Sequence, residues 1–401
     1  MTHKMTNSRF RLLLMLGALT ALVPLTIDMY LPAFPALTED LNTTNSLTQI
    51  SLTASLLGIA FGQLIIGSMS DIYGRKRPLV LAISLFVIAS FLCAIAPNIW
   101  VFIACRFIQG FTGAAGIVLS RSMIRDLYSG PDMTKMFSLL ILVMGLAPIL
   151  APVIGGQVLT FTSWRGIFAI LAIAGVLVTL MTVFKVQETL PKERRSAGGL
   201  KNTVNVFVAL LKQKSFIGFA LIQGFVAAAL FSYISGSSFI LQDIFNLSAQ
   251  TYGIVFGVNA LGFITLSQIT GRLVDYVKEE RLLVAGFVIA LSGGITLLLA
   301  SINGENFWSV MLGLFLVISS VGVLNPTSLS LAMEKQENNA GSAAAFLGLF
   351  QFIFGGVAAP LVGFLGTTTV LPLALIIIAC QMSALLSYIL LVRRKGEALG
   401  S

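Results

Sequence analysis

The chain has 401 residues, 57% of them hydrophobic and only 10% charged, with 25 Lys and Arg against 16 Asp and Glu for a formal net charge of +9. A mean hydropathy of +0.95 lies far outside the balance of soluble domains, and no polar stretch is long enough to fold as one. One histidine, His3, and three cysteines, Cys93, Cys105 and Cys380, leave no cluster for metal hydrolysis, no histidine-based triad and no disulfide framework.

Taken in chain order, apolar runs predict twelve membrane-spanning helices at 12–34, 48–70, 79–97, 99–122, 134–159, 164–184, 215–241, 251–273, 282–302, 307–332, 341–366 and 369–392. Each is near or above the ~20 residues that cross the hydrocarbon core as a helix. The alternation of a membrane barrel is absent, so the expected fold is an all-α polytopic membrane protein. The first run follows basic residues, as a signal peptide's would, but it outlasts a usual apolar core and lacks a convincing cleavage site. With the N-terminus inside, 23 of the 25 basic residues fall on cytoplasmic segments, leaving only Arg106 and Arg165. Glu39, Asp40, Asp243 and Glu305 then lie in outer loops. The positive-inside rule therefore predicts cytoplasmic termini, and this bias, not a nucleic-acid partner, accounts for the net charge.

The one long polar stretch, 185–214, divides six spans from six. The expected units are a six-helix bundle over 1–184, a cytoplasmic linker over 185–214 and a second bundle over 215–401. The halves echo each other: Gly67-Ser-Met-Ser-Asp71 returns as Gly271-Arg-Leu-Val-Asp275, and Ala151-Pro-Val-Ile-Gly155 as Ala359-Pro-Leu-Val-Gly363. Such parallel repeats place a substrate between the halves near midplane, where rocking alternates access.

Within the first run stands Asp28, with no other charged side chain between Arg11 and Glu39. A carboxylate at that depth is disfavoured by about 2.5–3.5 kcal/mol. It needs a partner, a proton or water, and each leads toward transport. The alternative is a helix that ends early, with Asp28 at its wet outer end, although Met29-Tyr-Leu31 continues apolar. Arg106 lies roughly 10 Å into the fourth run and Asp28 roughly 8 Å into the first, at ~1.5 Å per residue. The two can therefore share a layer, as a coupling pair or as a structural ion pair. Gln109, at i+3 from Arg106, presents its amide on nearly the same face.

Asp71 falls at the C-terminal end of the second helix, where the helix dipole disfavours a negative charge, so a basic neighbour or another helix N-terminus is required. Gly67 permits close backbone approach, and Gly74 a tight turn. Arg75, Lys76 and Arg77 serve topology and headgroup anchoring, with or without a gating role. Gly145, Pro148, Pro152, Gly155 and Gly156 make the fifth helix either closely packed or pliable.

These residues resemble a known family. Gly67-Ser-Met-Ser-Asp71-Ile-Tyr-Gly74-Arg75-Lys76-Arg77 is similar to the loop 2–3 signature of the major facilitator superfamily, and Arg106-Phe-Ile-Gln109-Gly110-Phe-Thr-Gly113 to its fourth-helix motif. Ala147-Pro148-Ile-Leu-Ala-Pro152-Val-Ile-Gly155-Gly156 resembles the fifth-helix motif of its drug:proton antiporters. Ile27-Asp28-Met-Tyr30-Leu-Pro32-Ala-Phe-Pro35 resembles the first helix of the bicyclomycin/chloramphenicol-resistance (Bcr/CflA) branch. Two departures stand out: the fifth helix has Ala147 where a Gly-Pro core is usual, and the second-half signature has Lys278 where the first half has Gly74.

The resemblance implies the major facilitator fold and a proton-coupled exporter of small amphipathic compounds in a bacterial inner membrane. It implies no cofactor, the proton gradient as energy source, and a monomer. It also implies a latch between helices 2 and 11 around Asp71 that favours the outward-facing state, and a fifth-helix gate that limits proton leak. Family position adds Tyr30, Gln223, Phe231, Asn325, Phe350 and Gln351 to the pocket of Asp28, Arg106 and Gln109, with packing or interhelical hydrogen bonding the competing role for each. Export of a metabolite such as an amino acid or dipeptide is the rival within transport. A receptor or a membrane enzyme is the rival outside it, although no cluster of polar catalytic groups supports an enzyme.

Overall fold

The computed structural model describes residues 7–195, 207–334, 336 and 340–393, so the remainder of the linker and both chain ends, with His3, lie outside the described residues. The described residues hold twelve helices long and apolar enough to span a membrane: α1 (Leu12–Asp40), α2 (Asn45–Tyr73), α3 (Lys76–Ala94), α4 (Ile99–Leu127), α5 (Lys135–Val158), α6 (Trp164–Lys185), α7 (Lys214–Ile244), α8 (Ala249–Leu273), α9 (Glu279–Ile302), α10 (Phe307–Met333), α11 (Ser342–Leu365) and α12 (Leu371–Arg393). No strand occurs among the described residues. Spans α2, α4, α7 and α9 extend about a turn beyond their apolar runs because polar end residues continue the backbone hydrogen bonding of the helix.

Span α1 departs from expectation. Its α-helix stops at Asp28, Leu31–Ala33 form a 3-10 turn, and a second helix runs Phe34–Asp40. Pro32 causes the break, since it has no N–H to give the Asp28 carbonyl and its ring crowds that carbonyl, whereas Pro35 sits in the first turn of the second helix, where no N–H is needed. Met29 through Phe34, beyond the end of the first helix, stay buried, so Asp28 is not at a wet outer end. Roughly 18 Å of further helical path separates it from Asp40, at ~1.5 Å per residue.

Helix caps carry the internal repeat. Thr44 and Ser248 accept a main-chain N–H at the starts of α2 and α8, and Asn98 and Asn306 accept two each at the starts of α4 and α10. All four caps lie on the face with Glu39, Asp40, Asp243 and Glu305, here the acidic face; the opposite face, with the basic loops, is the basic face. On the acidic face Asp40 accepts from Trp164 Nε1 at 3.1 Å and pairs with Arg165, tying α1 to α6.

The halves meet along α2–α11 and α5–α8, with α1 and α7 touching between them. Hydrogen bonds across this seam gather toward the acidic face. Asn45 Nδ2 donates to Thr367 Oγ1 at 2.6 Å, Gln49 spans Ser235 and Gly363, and Ser238 Oγ donates to the Leu31 carbonyl at 2.6 Å. Gln250 Nε2 reaches the Gly156 carbonyl at 2.9 Å. A single apolar core crosses both halves there, whereas toward the basic face each half keeps its own. A Cβ on Gly271, at the basic end of α8, would meet nothing within 4 Å. The molecule is closed at the acidic face and parted at the basic face.

Candidate functional site

The break in α1 sends its polar residues in different directions. Asp28 is 4% exposed, makes no hydrogen bond or ion pair among the described residues, and lies in electrostatic reach of Tyr233 on α7 and Tyr252 on α8. Those phenols have their own partners: Asn259 Nδ2 donates to Tyr233 Oη at 2.9 Å, and Tyr252 Oη lies 3.3 Å from Ser237 Oγ. The acid therefore belongs to the layer where both halves meet.

Arg106 is fully buried on α4 and does not pair with Asp28. It donates through Nη2 to the Thr26 carbonyl at 3.0 Å and through Nη1 to Gln109 Oε1. Its guanidinium stands 4.3 Å from the Tyr30 ring centroid and 5.5 Å from that of Phe168, a cation–π arrangement. Gln109 Nε2 in turn donates to Ser90 Oγ on α3 at 2.8 Å. Nε of Arg106 is buried without an acceptor. The expected shared layer exists, but the expected direct pair does not, because the helix break leaves Asp28 facing the second half while Arg106 takes the α1 main chain.

Tyr30 is wholly buried, packed edge-on against Phe34, Phe102 and Phe168, with its hydroxyl 3.3 Å from Ser51 Oγ. Here it supports Arg106. In the second half, Gln351 Nε2 donates to Gln223 Oε1 at 3.0 Å and to Asn325 Oδ1 at 2.8 Å, joining α7, α10 and α11. Phe350 stacks between Phe346 at 4.6 Å and Phe354 at 5.6 Å, while Phe231 is buried beside Phe352. The three amides thus form one cluster, separate from the Arg106 group. Tyr233, Tyr252 and Asn259 were missed by the sequence reading; their signal was polar side chains inside apolar runs.

The gating residues fall in two places. A Cβ at Gly155 would lie 1.9 Å from the Met29 carbonyl, so only glycine lets α5 lie against the break of α1. Gly156 and Pro152 face the start of α8, while Gly145 has open room toward Ile264. Pro148 and Pro152 both lie within the helix. At the basic face Arg75 bridges Asp71 at 2.5 Å and Asp126 of α4 at 2.9 Å, and also donates to Ser70 Oγ. Asp71 is half-exposed and held within its own half, so the helix 2–11 latch is unmade in this conformation. Gly67 sits against Val118 of α4. Gly74 adopts φ +89°, and a Cβ there would strike the Glu188 carboxylate and the Arg195 guanidinium. Arg77 is exposed.

Twelve spans in two seamed halves, with charged and polar groups buried between them, define a helical membrane transporter. The Major Facilitator Superfamily profile matches residues 16–360, and the chain belongs to that family. It is 40% identical over 400 residues to an uncharacterized MFS-type transporter, YdgK, of Bacillus subtilis, covering 99% of this chain and 100% of the relative. It is 31% identical to a bicyclomycin resistance protein homolog of Haemophilus influenzae, covering 98% of this chain and 99% of that one. Identity to the multidrug resistance protein MdtL of Escherichia coli is 27%, covering 94% of each. Among solved structures, a bacterial homolog of the human lysosomal transporter Spinster, inward-facing and occupied, superposes with a TM-score of 0.75 at 15% identity over 97% of this chain and 98% of that one. The xylose transporter XylE of Escherichia coli gives 0.70 at 16% identity over 95% and 97%. At such identities the structures speak for the fold alone.

Proposed function

We propose that the protein is a proton-coupled antiporter that exports small amphipathic compounds, antimicrobials among them, across a bacterial inner membrane, with both termini cytoplasmic. The observation that carries this reading is Asp28: an unpaired acid, buried where the two halves meet, and deeper in a span than any other acid of the chain. The resistance proteins at 31% and 27% identity support the substrate class.

With the basic face cytoplasmic, the described state is inward-facing. A carboxyl group cut off from water is favoured in its neutral form, and hydration or a nearby cation favours the charged form. Rocking that alters water access at Asp28 therefore alters its hold on a proton. From outside a proton enters and displaces the drug at or near the carboxyl; inside, the next drug displaces the proton. Arg106, with its Nε–H unused, offers a further donor to the carbonyls of an α1 that shifts between states. The amide cluster of Gln223, Asn325 and Gln351, with Phe231 and Phe350 nearby in the same half, supplies the second wall of the pocket, and the glycine-rich α5 closes against α1 and α8.

The test is reconstitution in sealed vesicles under a pH gradient, following proton release as antimicrobial compounds and dipeptides are added in turn. Release with the first set supports drug export, and release with dipeptides alone moves the assignment to a metabolite. Transport that is indifferent to the gradient refutes the coupling.

A further inference from the structure

After α6 the chain does not leave the protein: residues 186–195 lie beneath the turn between α2 and α3. Glu188 Oε1 accepts the main-chain N–H of Arg75 at 2.8 Å and that of Leu190 at 3.0 Å, and Oε2 accepts that of Lys76 at 3.2 Å. Thr189 Oγ1 donates to Asp126 at 3.0 Å. This strap explains Gly74 more fully than the turn does, since any side chain there would collide with Glu188 and Arg195.

Two cavities adjoin the strap and share Glu188 as a wall. The smaller, about 460 Å³, is lined by Lys76, Arg77, Lys192 and Arg195 against the single carboxylate of Glu188. That carboxylate is already occupied by three main-chain donors, and the Arg195 Nη2 stands 3.9 Å from it, beyond hydrogen-bond length. Arg195 Nε is buried with no acceptor among the described residues. An orphaned guanidinium N–H among surplus cations calls for an anion with several acceptor oxygens.

The larger cavity, about 1100 Å³, runs along Leu12, Leu14, Met15, Leu127 and Met181, with Lys185 at its edge. Leu14 and Leu127 are 54% and 48% exposed, so its rim is apolar and open at the membrane-facing end of the helices. A cationic pocket roomy enough for a phosphate headgroup, beside an apolar groove, matches a molecule with an anionic head and a hydrocarbon tail.

We propose that this is a binding site for one anionic phospholipid of the leaflet at the basic face. Its phosphate is held by Lys76, Arg77, Lys192 and Arg195, and an acyl chain lies along the groove between α1, α4 and α6. The bound lipid fastens the strap to the loop between α2 and α3, and it does so whatever the protein transports.

The purified full chain, stripped of lipid in detergent, is titrated with phosphatidylglycerol, with phosphatidylcholine of the same chains, and with glycerol 3-phosphate. Thermal midpoint and lipid retention in native mass spectrometry are read together. Phosphatidylglycerol should raise the midpoint and stay bound where phosphatidylcholine does not, and glycerol 3-phosphate should be without effect. Lys192→Gln with Arg195→Gln should weaken phosphatidylglycerol roughly 30-fold, two surface cations' worth, while leaving the retention of phosphatidylcholine unchanged. If that pair does not fold, Arg77→Gln, at an exposed side chain, carries the same expectation at roughly 5-fold. Equal binding of both lipids, or headgroup selectivity that survives the substitutions, overturns the site. An effect of glycerol 3-phosphate equal to that of the lipid assigns the pocket to soluble phosphates and overturns the lipid.

Discussion

Arg106 bonds to the main chain of α1 and not to its acid: Nη2 reaches the carbonyl of Thr26 at 3.0 Å, two residues before Asp28. The cation is thereby held by a helix that must move between states, over the rings of Tyr30 and Phe168. Removing it strands the Thr26 carbonyl and the Gln109 amide in a dry layer, at about 1–3 kcal/mol for each unsatisfied group. Arg106→Ala should lower the thermal midpoint and abolish gradient-driven export. Arg106→Lys should retain partial export, because a lysine keeps the charge but not the planar donor array. Proton-driven export at the wild-type rate in Arg106→Ala would show that the cation is structural only.

Most of the fold was legible because a bilayer demands long apolar runs, and those runs survive any detail of packing. The repeat was legible in two short echoes, and the caps Thr44, Ser248, Asn98 and Asn306 restate it in hydrogen bonds. The break at Asp28 was less so. Pro32 was visible, but its effect depends on the close seat of Gly155 against the Met29 carbonyl, a tertiary contact. The direction of Asp28 follows from that break, which is why a regular-helix reading paired it with Arg106. The strap of Glu188 had no periodic signal and lay unseen in a polar stretch taken as linker.

Closure at the acidic face gives a crosslinking prediction. Asn45 and Thr367 touch at 2.6 Å across the halves, so Asn45→Cys with Thr367→Cys should be joined by a short bifunctional thiol reagent. Joined protein should lose transport and regain it on cleavage of a reducible linker. Full activity in quantitatively crosslinked vesicles would mean that this seam never opens.

At the basic face, Asp71 is bonded only to Arg75 among the described residues, and Arg75 is held independently by Asp126 and Ser70. Asp71→Asn should therefore leave folding and equilibrium drug binding near wild type. Turnover should fall severalfold if the acid forms the expected latch in the opposite state. Unchanged turnover at matched expression would remove the latch role.

Glu188 links this face to pH. Partial burial pushes its carboxyl up, but the main-chain N–H groups of Leu190, Arg75 and Lys76 and the charge of Arg195 outweigh it and leave the group below its ordinary range. A depressed carboxyl stabilises the fold above its unfolded pKa, and that contribution fades as pH falls through the folded value. Glu188→Gln should lower the thermal midpoint at neutral pH and converge with wild type under strongly acidic conditions. A midpoint gap that stays constant down to that range would show that charge at Glu188 is immaterial.

The proposed coupling role rests on Asp28. Asp28→Asn copies the protonated acid permanently and keeps its size, so packing against the second half should survive and some drug binding with it. What should vanish is drug-induced proton release and accumulation against a gradient, because the side chain can no longer exchange a proton as access alternates. Asp28→Glu keeps the acid on a longer arm, and in a site where Asp28 is only 4% exposed the extra methylene must be accommodated, so partial activity is expected. Vesicles loaded with a pH indicator report both quantities in one preparation. If Asp28→Asn still concentrates drug at the wild-type rate, this acid is not the coupling group. Coupling would then have to pass through a carboxyl at the edge of a span, such as Asp71 or Asp243, where water is never excluded to the same degree.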